Sequence, residues 1–301
     1  MKLKIGSRTS NLAMWQSRRI AELIEKAYDD VRVEIVGMET TGDRRTDEPL
    51  PTIGAKGLFT AELEEALLDD RIDLAVHSLK DLPSALPEGL RYAGSPPRGA
   101  ATDAFISTRW DSFDDLPQGA TVATGSQRRR SQLLHLRPDL QLVDLRGNIE
   151  TRLRKLDDHG YDGIIMATVA LHRLEMTERI TTELDFSTFV PAVSQGAMGV
   201  ETRIGRDDVD ELLDPLWHVP TVTATRAERT FMRRLEGGCS VALGGYSRRR
   251  DDGSWSFYGW ASSTDGSRVL HDHRTGPDPM ELADVMADDF IERGARDILH
   301  S

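Results

Sequence analysis

The pattern that most restricts the fold is an alternation, along the first two thirds of the chain, of short apolar runs with segments of helical apolar period. Runs of about four to eight apolar residues read as buried strands, and a 3.6-residue period reads as an amphipathic helix. Strands are predicted at 3–5, 31–38, 72–76, 104–107, 121–123, 141–145 and 163–167, interleaved with helices at 12–24, 58–68, 127–136, 148–158 and 169–174. Strand and helix in turn imply an α/β architecture of parallel sheets covered on both faces. The breaker-rich stretch 96–99 marks a crossing to a second sheet, and the polar break at 191–199 marks a return, so the first two domains are expected to be discontinuous. After Pro220 a helix over 223–235 stops at Gly237-Gly238, a hairpin spans 256–273, and an amphipathic helix over 280–299 closes a small α+β domain. The expected division is 1–97 with 197–217, then 98–196, then 218–301. A chain of 301 residues can bury such cores without disulfides or structural metal.

Lys and Arg number 38 against 50 Asp and Glu, a formal charge of −12 that repels polyanions, so nucleic-acid binding is not expected. Lysine is scarce, and aspartate pairs such as Asp29-Asp30, Asp69-Asp70 and Asp207-Asp208 recur. Such a surface fits a salt-adapted protein, whose repulsion concentrated salt screens, and equally an ordinary acidic cytosolic one. Met1-Lys2-Leu3-Lys4-Ile5-Gly6 leads straight into structure, and no run is long and apolar enough to span a membrane, so a cytoplasmic location is expected. A single cysteine, Cys239, forms neither an internal disulfide nor a thiolate metal site.

Ligands of open sheets bind beyond the carboxyl ends of the strands, and the chemistry of this chain is concentrated there. His77-Ser78-Leu79-Lys80-Asp81-Leu82-Pro83 sets an imidazole, a hydroxyl, an ammonium and a carboxylate within one turn. The plainer alternative is a loop cap, with Asp81 accepting backbone N–H bonds. Thr124-Gly125-Ser126-Gln127-Arg128-Arg129-Arg130 opens a helix, where N–H groups, the helix dipole and guanidinia can converge on an anion. It lacks the Walker signature, and a solvated basic face is its alternative. Arg146-Gly147-Asn148 repeats the arrangement, with Asn148 as N-cap and Arg152 one turn on, while Arg8 and Arg173 stand near other strand–helix junctions. Guanidinia grip carboxylates and phosphates bidentately, so the expected ligand is a polycarboxylate or a phosphate. Cys239, behind Gly237-Gly238, is either an inert core thiol or a loop nucleophile or attachment point.

Taken in order, Ser7-Arg8-Thr9-Ser10-Asn11-Leu12-Ala13, Gly57-Leu58-Phe59-Thr60, Ala75-Val76 with the His77–Pro83 run, Arg128-Arg129, Leu145-Arg146-Gly147-Asn148 with Thr151-Arg152-Leu153, Pro191-Ala192-Val193-Ser194-Gln195-Gly196-Ala197 and Glu228-Arg229 to Leu235-Glu236-Gly237-Gly238-Cys239 resemble the porphobilinogen deaminase, or hydroxymethylbilane synthase, family over nearly the whole chain. The resemblance implies two doubly wound domains similar to type II periplasmic binding proteins, plus a small α+β C-terminal domain. It implies a transferase of tetrapyrrole biosynthesis that condenses four porphobilinogen molecules head to tail into hydroxymethylbilane, with loss of ammonia at each step. It further implies a dipyrromethane cofactor held by a thioether to Cys239, and Asp81 as the catalytic carboxylate between pyrrole nitrogens. Carboxylates of cofactor and substrate would bind Arg8, Ser10, Lys56, Ser78, Lys80, Ser126, Arg128, Arg129, Arg146, Arg152, Arg173, Gln195 and Gly196, with His77 beside them. The loop 41–56 would be a mobile cover. No metal, nucleotide or membrane is implied, and the expected state is a monomer whose product passes to uroporphyrinogen-III synthase. Ala61 stands where the family usually has lysine and Gly125 where it has serine, while Thr9 and Ser194 interrupt Arg-Gln-Ser and Val-Gly-Gln-Gly. A non-catalytic, hinge-closing anion receptor is the rival class, but such receptors are exported and have no use for a cysteine-bearing third domain.

Overall fold

The structure is a computed structural model and describes residues 1–44, 58–236 and 241–301. Lys56, Cys239 and the expected cover loop beyond residue 44 lie outside the described residues. The strands are β1 (Lys2–Arg8), β2 (Arg32–Met38), β3 (Leu74–Ser78), β4 (Leu90–Gly94), β5 (Asp103–Ile106), β6 (Thr121–Ala123), β7 (Gln141–Val143), β8 (Gly163–Ala167), β9 (Thr182–Leu184), β10 (Met198–Arg203), β11 (Leu243–Arg249), β12 (Trp255–Ser262) and β13 (Val269–Gly276). They fall in two compact units, Met1–Gly99 with Gly196–Val222 and Ala100–Gln195 with Thr223–Ser301.

The first unit is built on a five-stranded sheet of order β2-β1-β3-β10-β4. β1 pairs parallel with β2 and β3, and β10, arriving late in the chain, runs antiparallel between β3 and β4. Helix Asn11–Ala27 starts where the Ser10 hydroxyl accepts the Ala13 N–H at 3.4 Å, an N-cap that satisfies one orphan donor. Its Ile20 and Ile24 pack on Leu3, Ile5, Leu74 and Val76, while helix Ala61–Leu68 lays Leu63, Ala66 and Leu67 on the opposite face against Ile72 and Ala75. Each such fully buried Leu or Ile contributes about 1.5–3 kcal/mol, so both faces of the sheet are committed to the core and only its strand ends remain for chemistry.

The second unit repeats the plan in a sheet of order β7-β6-β8-β5-β9, again with one antiparallel strand, β5, between the parallel set and the edge. Helix Ile149–His159 packs Leu153 and Leu156 on one face, and helix Gln127–Leu136 packs Leu133 on the other. The same unit contains the antiparallel sheet β11-β12-β13. Helices Val219–Arg234 and Pro279–Glu292 cover it through Phe231, Met286 and Phe290.

Several expectations need correction. The two large sheets are mixed, because each takes an antiparallel strand from across a chain crossing. The closing helix is two helices, Pro279–Glu292 and Ala295–Leu299, broken at Gly294, whose φ of 85° a side chain would strain. The segment after residue 40 begins with the helical turn Thr41–Arg44 rather than loop. His77 and Ser78 are the last residues of β3, and the turn after them is a 3₁₀ turn over Leu79–Asp81. Among the described residues no helix is long and apolar enough to cross a membrane.

Candidate functional site

In the first sheet the chain leaves β1 toward β2 and returns past it to β3, so the β1/β3 boundary is a topological switch point, where open sheets bind ligands. A cavity of about 70 Å³ opens there, lined by Arg8, Ser10, Leu12, Ala13, Gln16, Phe59, Thr60, Val76, His77, Ser78 and Asp81. Arg8 ends β1 with its guanidinium 4.3 Å from the centroid of the Phe59 ring, a cation–π contact that holds the fork in place. Ser10 uses its oxygen lone pair on the helix cap, which leaves its O–H to donate. The Gln16 side-chain amide donates to the Ser78 hydroxyl at 2.9 Å and so ties the first helix to the end of β3. Asp81 closes the 3₁₀ turn, with Lys80 beside it in the same turn.

Behind this pocket lies a buried ionisable group that sequence reasoning missed. His77 Nε2 and Glu201 Oε2 are 3.0 Å apart, with side chains 3% and 0% exposed. Glu64, on helix Ala61–Leu68, is buried nearby; desolvation raises its carboxyl above the ordinary range, and the charge of Glu201 adds to this. Gln16 was legible only as a polar residue on the buried face of its helix, whereas the Glu201 partnership depends on strand register.

In the second unit the basic residues also stand at strand ends: Arg128 and Arg129 on the helix after β6, Arg146 and Arg152 after β7, Arg173 after β8. Asn148 caps its helix as expected, accepting the Thr151 N–H at 2.9 Å, and Arg152 donates to the Gly147 carbonyl at 2.8 Å. Arg128 and Arg129 both reach a carboxylate of the protein itself: Arg128 Nη2 is 2.7 Å from Asp103 Oδ2, and Arg129 Nη2 is 2.7 Å from Oδ1. Gln195 donates to the same Oδ1 at 3.1 Å and to the Ala101 carbonyl at 2.7 Å. Two guanidinia on one carboxylate leave a net positive charge, and Arg128 Nε, buried, has no hydrogen-bond partner among the described residues. Burial lowers the Arg173 guanidinium to about 10, which still leaves it charged at neutral pH. Ser126 precedes its helix without a side-chain cap bond. Gly125 has a steric cause, since a Cβ there would lie 2.8 Å from the Leu145 carbonyl oxygen. Gly196 accepts the Gly99 N–H at 3.1 Å, within the first unit.

Two like sheets with basic side chains at their strand ends, an aspartate in the pocket of the first, and a small antiparallel sheet define a mixed α/β protein. The family model for the porphobilinogen deaminase dipyrromethane cofactor binding domain matches residues 3–211, and that for the porphobilinogen deaminase C-terminal domain matches 222–292. Porphobilinogen deaminases of Maridesulfovibrio salexigens and Carboxydothermus hydrogenoformans are 42% and 43% identical over 300 and 297 residues, covering 99% and 98% of this chain and 97% and 95% of theirs. The counterpart from Nitratidesulfovibrio vulgaris is 44% identical over 304 residues, covering 99% of this chain and 96% of its own. Among solved structures, a periplasmic substrate-binding protein of an ABC transporter from Coxiella burnetii is similar with a TM-score of 0.46 and 15% identity, covering 75% of this chain and 96% of that one. The chain belongs to the porphobilinogen deaminase family.

Proposed function

We propose that the chain is a hydroxymethylbilane synthase, a transferase of tetrapyrrole biosynthesis that joins four porphobilinogen molecules head to tail and releases one ammonia per step. The observation that carries this reading is the Asp81 carboxylate in a pocket with Arg8, Ser10 and Ser78, at the switch point of the first sheet of a family member. Each substrate ring carries one acetate and one propionate, so every condensation adds two carboxylates to be held. Arg8 and Lys80 in the first unit, Arg128, Arg129, Arg146, Arg152 and Arg173 in the second, and Lys56 supply the positive charge. Ser10, Ser78, Ser126, Gln195 and the backbone of Gly196 add hydrogen bonds, and His77 shapes the pocket wall. Asp81 accepts pyrrole N–H bonds and, as a carboxylate lining the pocket, stabilises the positive charge that develops on a ring as its amine departs.

A dipyrromethane cofactor fits this residue set. It is an anion bearing N–H donors, and the pocket of the first unit offers Asp81 as acceptor and Arg8 as cation. Cys239 would hold it through a thioether, thiolate sulfur being a strong nucleophile toward the electrophilic methylene left by loss of ammonia. When bound, the group supplies the free pyrrole carbon from which the chain grows.

The reading extends to a three-part division at 1–97 with 197–217, 98–196 and 218–301, to a monomer in the cytoplasm, and to delivery of the product to uroporphyrinogen-III synthase. Stability measured against salt separates a salt-adapted acidic surface from an ordinary one, because only the former weakens steeply at low ionic strength. The test of the function is direct. Purified chain supplied with porphobilinogen is expected to yield hydroxymethylbilane and four ammonia per product; a cofactor-bearing preparation that leaves porphobilinogen untouched refutes it.

A further inference from the structure

Strand register creates a buried group for which the condensation has a use. In the β3–β10 ladder His77 faces Gly199 and Glu201 faces Ala75, so the two side chains stand diagonally on one face of the sheet. Helix Ala61–Leu68 covers that face and lowers Glu64 onto it. One imidazole and two carboxylates are thus held together almost out of reach of water. Glu201 Oε1 and Glu64 Oε1 have no hydrogen-bond partner among the described residues. As a stabilising device this is poor, since buried unsatisfied acceptors lose their hydration and apolar residues of like volume would pack as well. An imidazole hydrogen-bonded to one buried carboxylate and beside a second is a group able to accept a proton with its charge balanced locally. His77 also lines the pocket that contains Asp81. The charged groups around it are Arg8 from β1, Glu64 from the helix, Asp81 from the 3₁₀ turn and Glu201 from β10.

We infer that His77, held by Glu201 and faced by Glu64, takes up the proton freed as one ring regains its aromaticity and gives it to the amine of the next porphobilinogen, leaving Asp81 ionised. The inference rests on the proposed function. Each condensation makes one C–C bond and breaks one C–N and one C–H bond. The nitrogen leaves as ammonia with the electron pair of the C–N bond, the C–H pair returns to the pyrrole ring, and the freed proton ends on ammonia as ammonium. Because nitrogen leaves before the C–H bond breaks, the proton freed in one condensation needs a holder until the next amine departs, and that holder is not Asp81, whose task requires its charge.

The test compares His77→Gln, which keeps a donor toward Glu201 but cannot titrate, and Glu201→Gln with the parent. Intact mass, and kcat and KM across the neutral pH range, are measured. Both variants are expected to carry the same mass addition as the parent and to keep KM within about twofold while losing about 100-fold in kcat. One limb of the kcat–pH profile is expected to vanish. A parental kcat–pH profile, whether or not the rate falls, overturns the inference, as does a rise in KM at constant kcat. Should His77→Gln fail to fold, Glu201→Gln decides alone. A parent that converts no porphobilinogen removes the proposed function itself, a result distinct from active variants with unchanged profiles.

Discussion

Asp103→Asn is the most informative single perturbation of the second unit. The carboxylate is fully buried, and its partners Arg128 and Arg129 are 3% and 6% exposed. Its Oδ1 accepts from Arg129 Nε at 3.0 Å and Nη2 at 2.7 Å, and its Oδ2 from Arg128 Nη2 at 2.7 Å. The amide keeps the shape but removes the charge and turns one acceptor into a donor aimed at a guanidinium. Breaking a buried ion pair in this way costs about 3–5 kcal/mol. At about 2–4 °C per kcal/mol for a body of this size, the melting temperature should fall by about 6–20 °C. Differential scanning calorimetry at neutral pH reads the change. Adding Arg129→Met to Asp103→Asn is expected to recover part of the loss, because removing both partners of a desolvated pair is close to neutral. A single variant that melts within about 2 °C of the parent would show that the two arginines need no counter-charge, contrary to this reasoning.

Asp81→Asn should keep the parental melting temperature and lose about 10²- to 10⁴-fold in porphobilinogen turnover; near-normal turnover removes Asp81 from the chemistry. Burial raises the Glu64 carboxyl, so the stability linked to its protonated form is complete below the ordinary value of 4.5 and is lost as pH climbs through the higher folded value. Glu64→Gln should therefore melt above the parent at neutral pH and level with it near pH 4, and a pH-independent difference contradicts this. Ser194 holds φ at 64°, and its buried hydroxyl has no partner among the described residues, so Ser194→Gly is expected to gain about 1 kcal/mol in thermal melts. A loss on that substitution refutes the strain argument.

The elements legible in the sequence are those whose residues face one environment. β8 is buried throughout and reads as a plain apolar run, and helix Gln127–Leu136 follows its expected span. β10 was hidden because its sequence places Glu201 and Thr202, both fully buried, in a central strand, where polarity reads as loop. β11 carries Gly244 and Gly245, and a Cβ at either would press on Val190 or Val193, so these glycines admit the neighbouring segment into a strand that no apolar run announces. At the site, Arg8, Ser10 and Asp81 were legible because each lies near the end of a recognisable element. Asp103 and Glu201 were not, since the one meets Arg128 through helix-on-sheet packing across 25 residues and the other meets His77 through strand register across 124, and no local pattern records either distance.

The covalent starter is tested most directly by the intact mass of the purified, active protein. The expected mass exceeds that of the polypeptide by two pyrrole units, and the excess disappears in Cys239→Ser together with turnover. A fully active preparation at the bare polypeptide mass would contradict the assignment of Cys239.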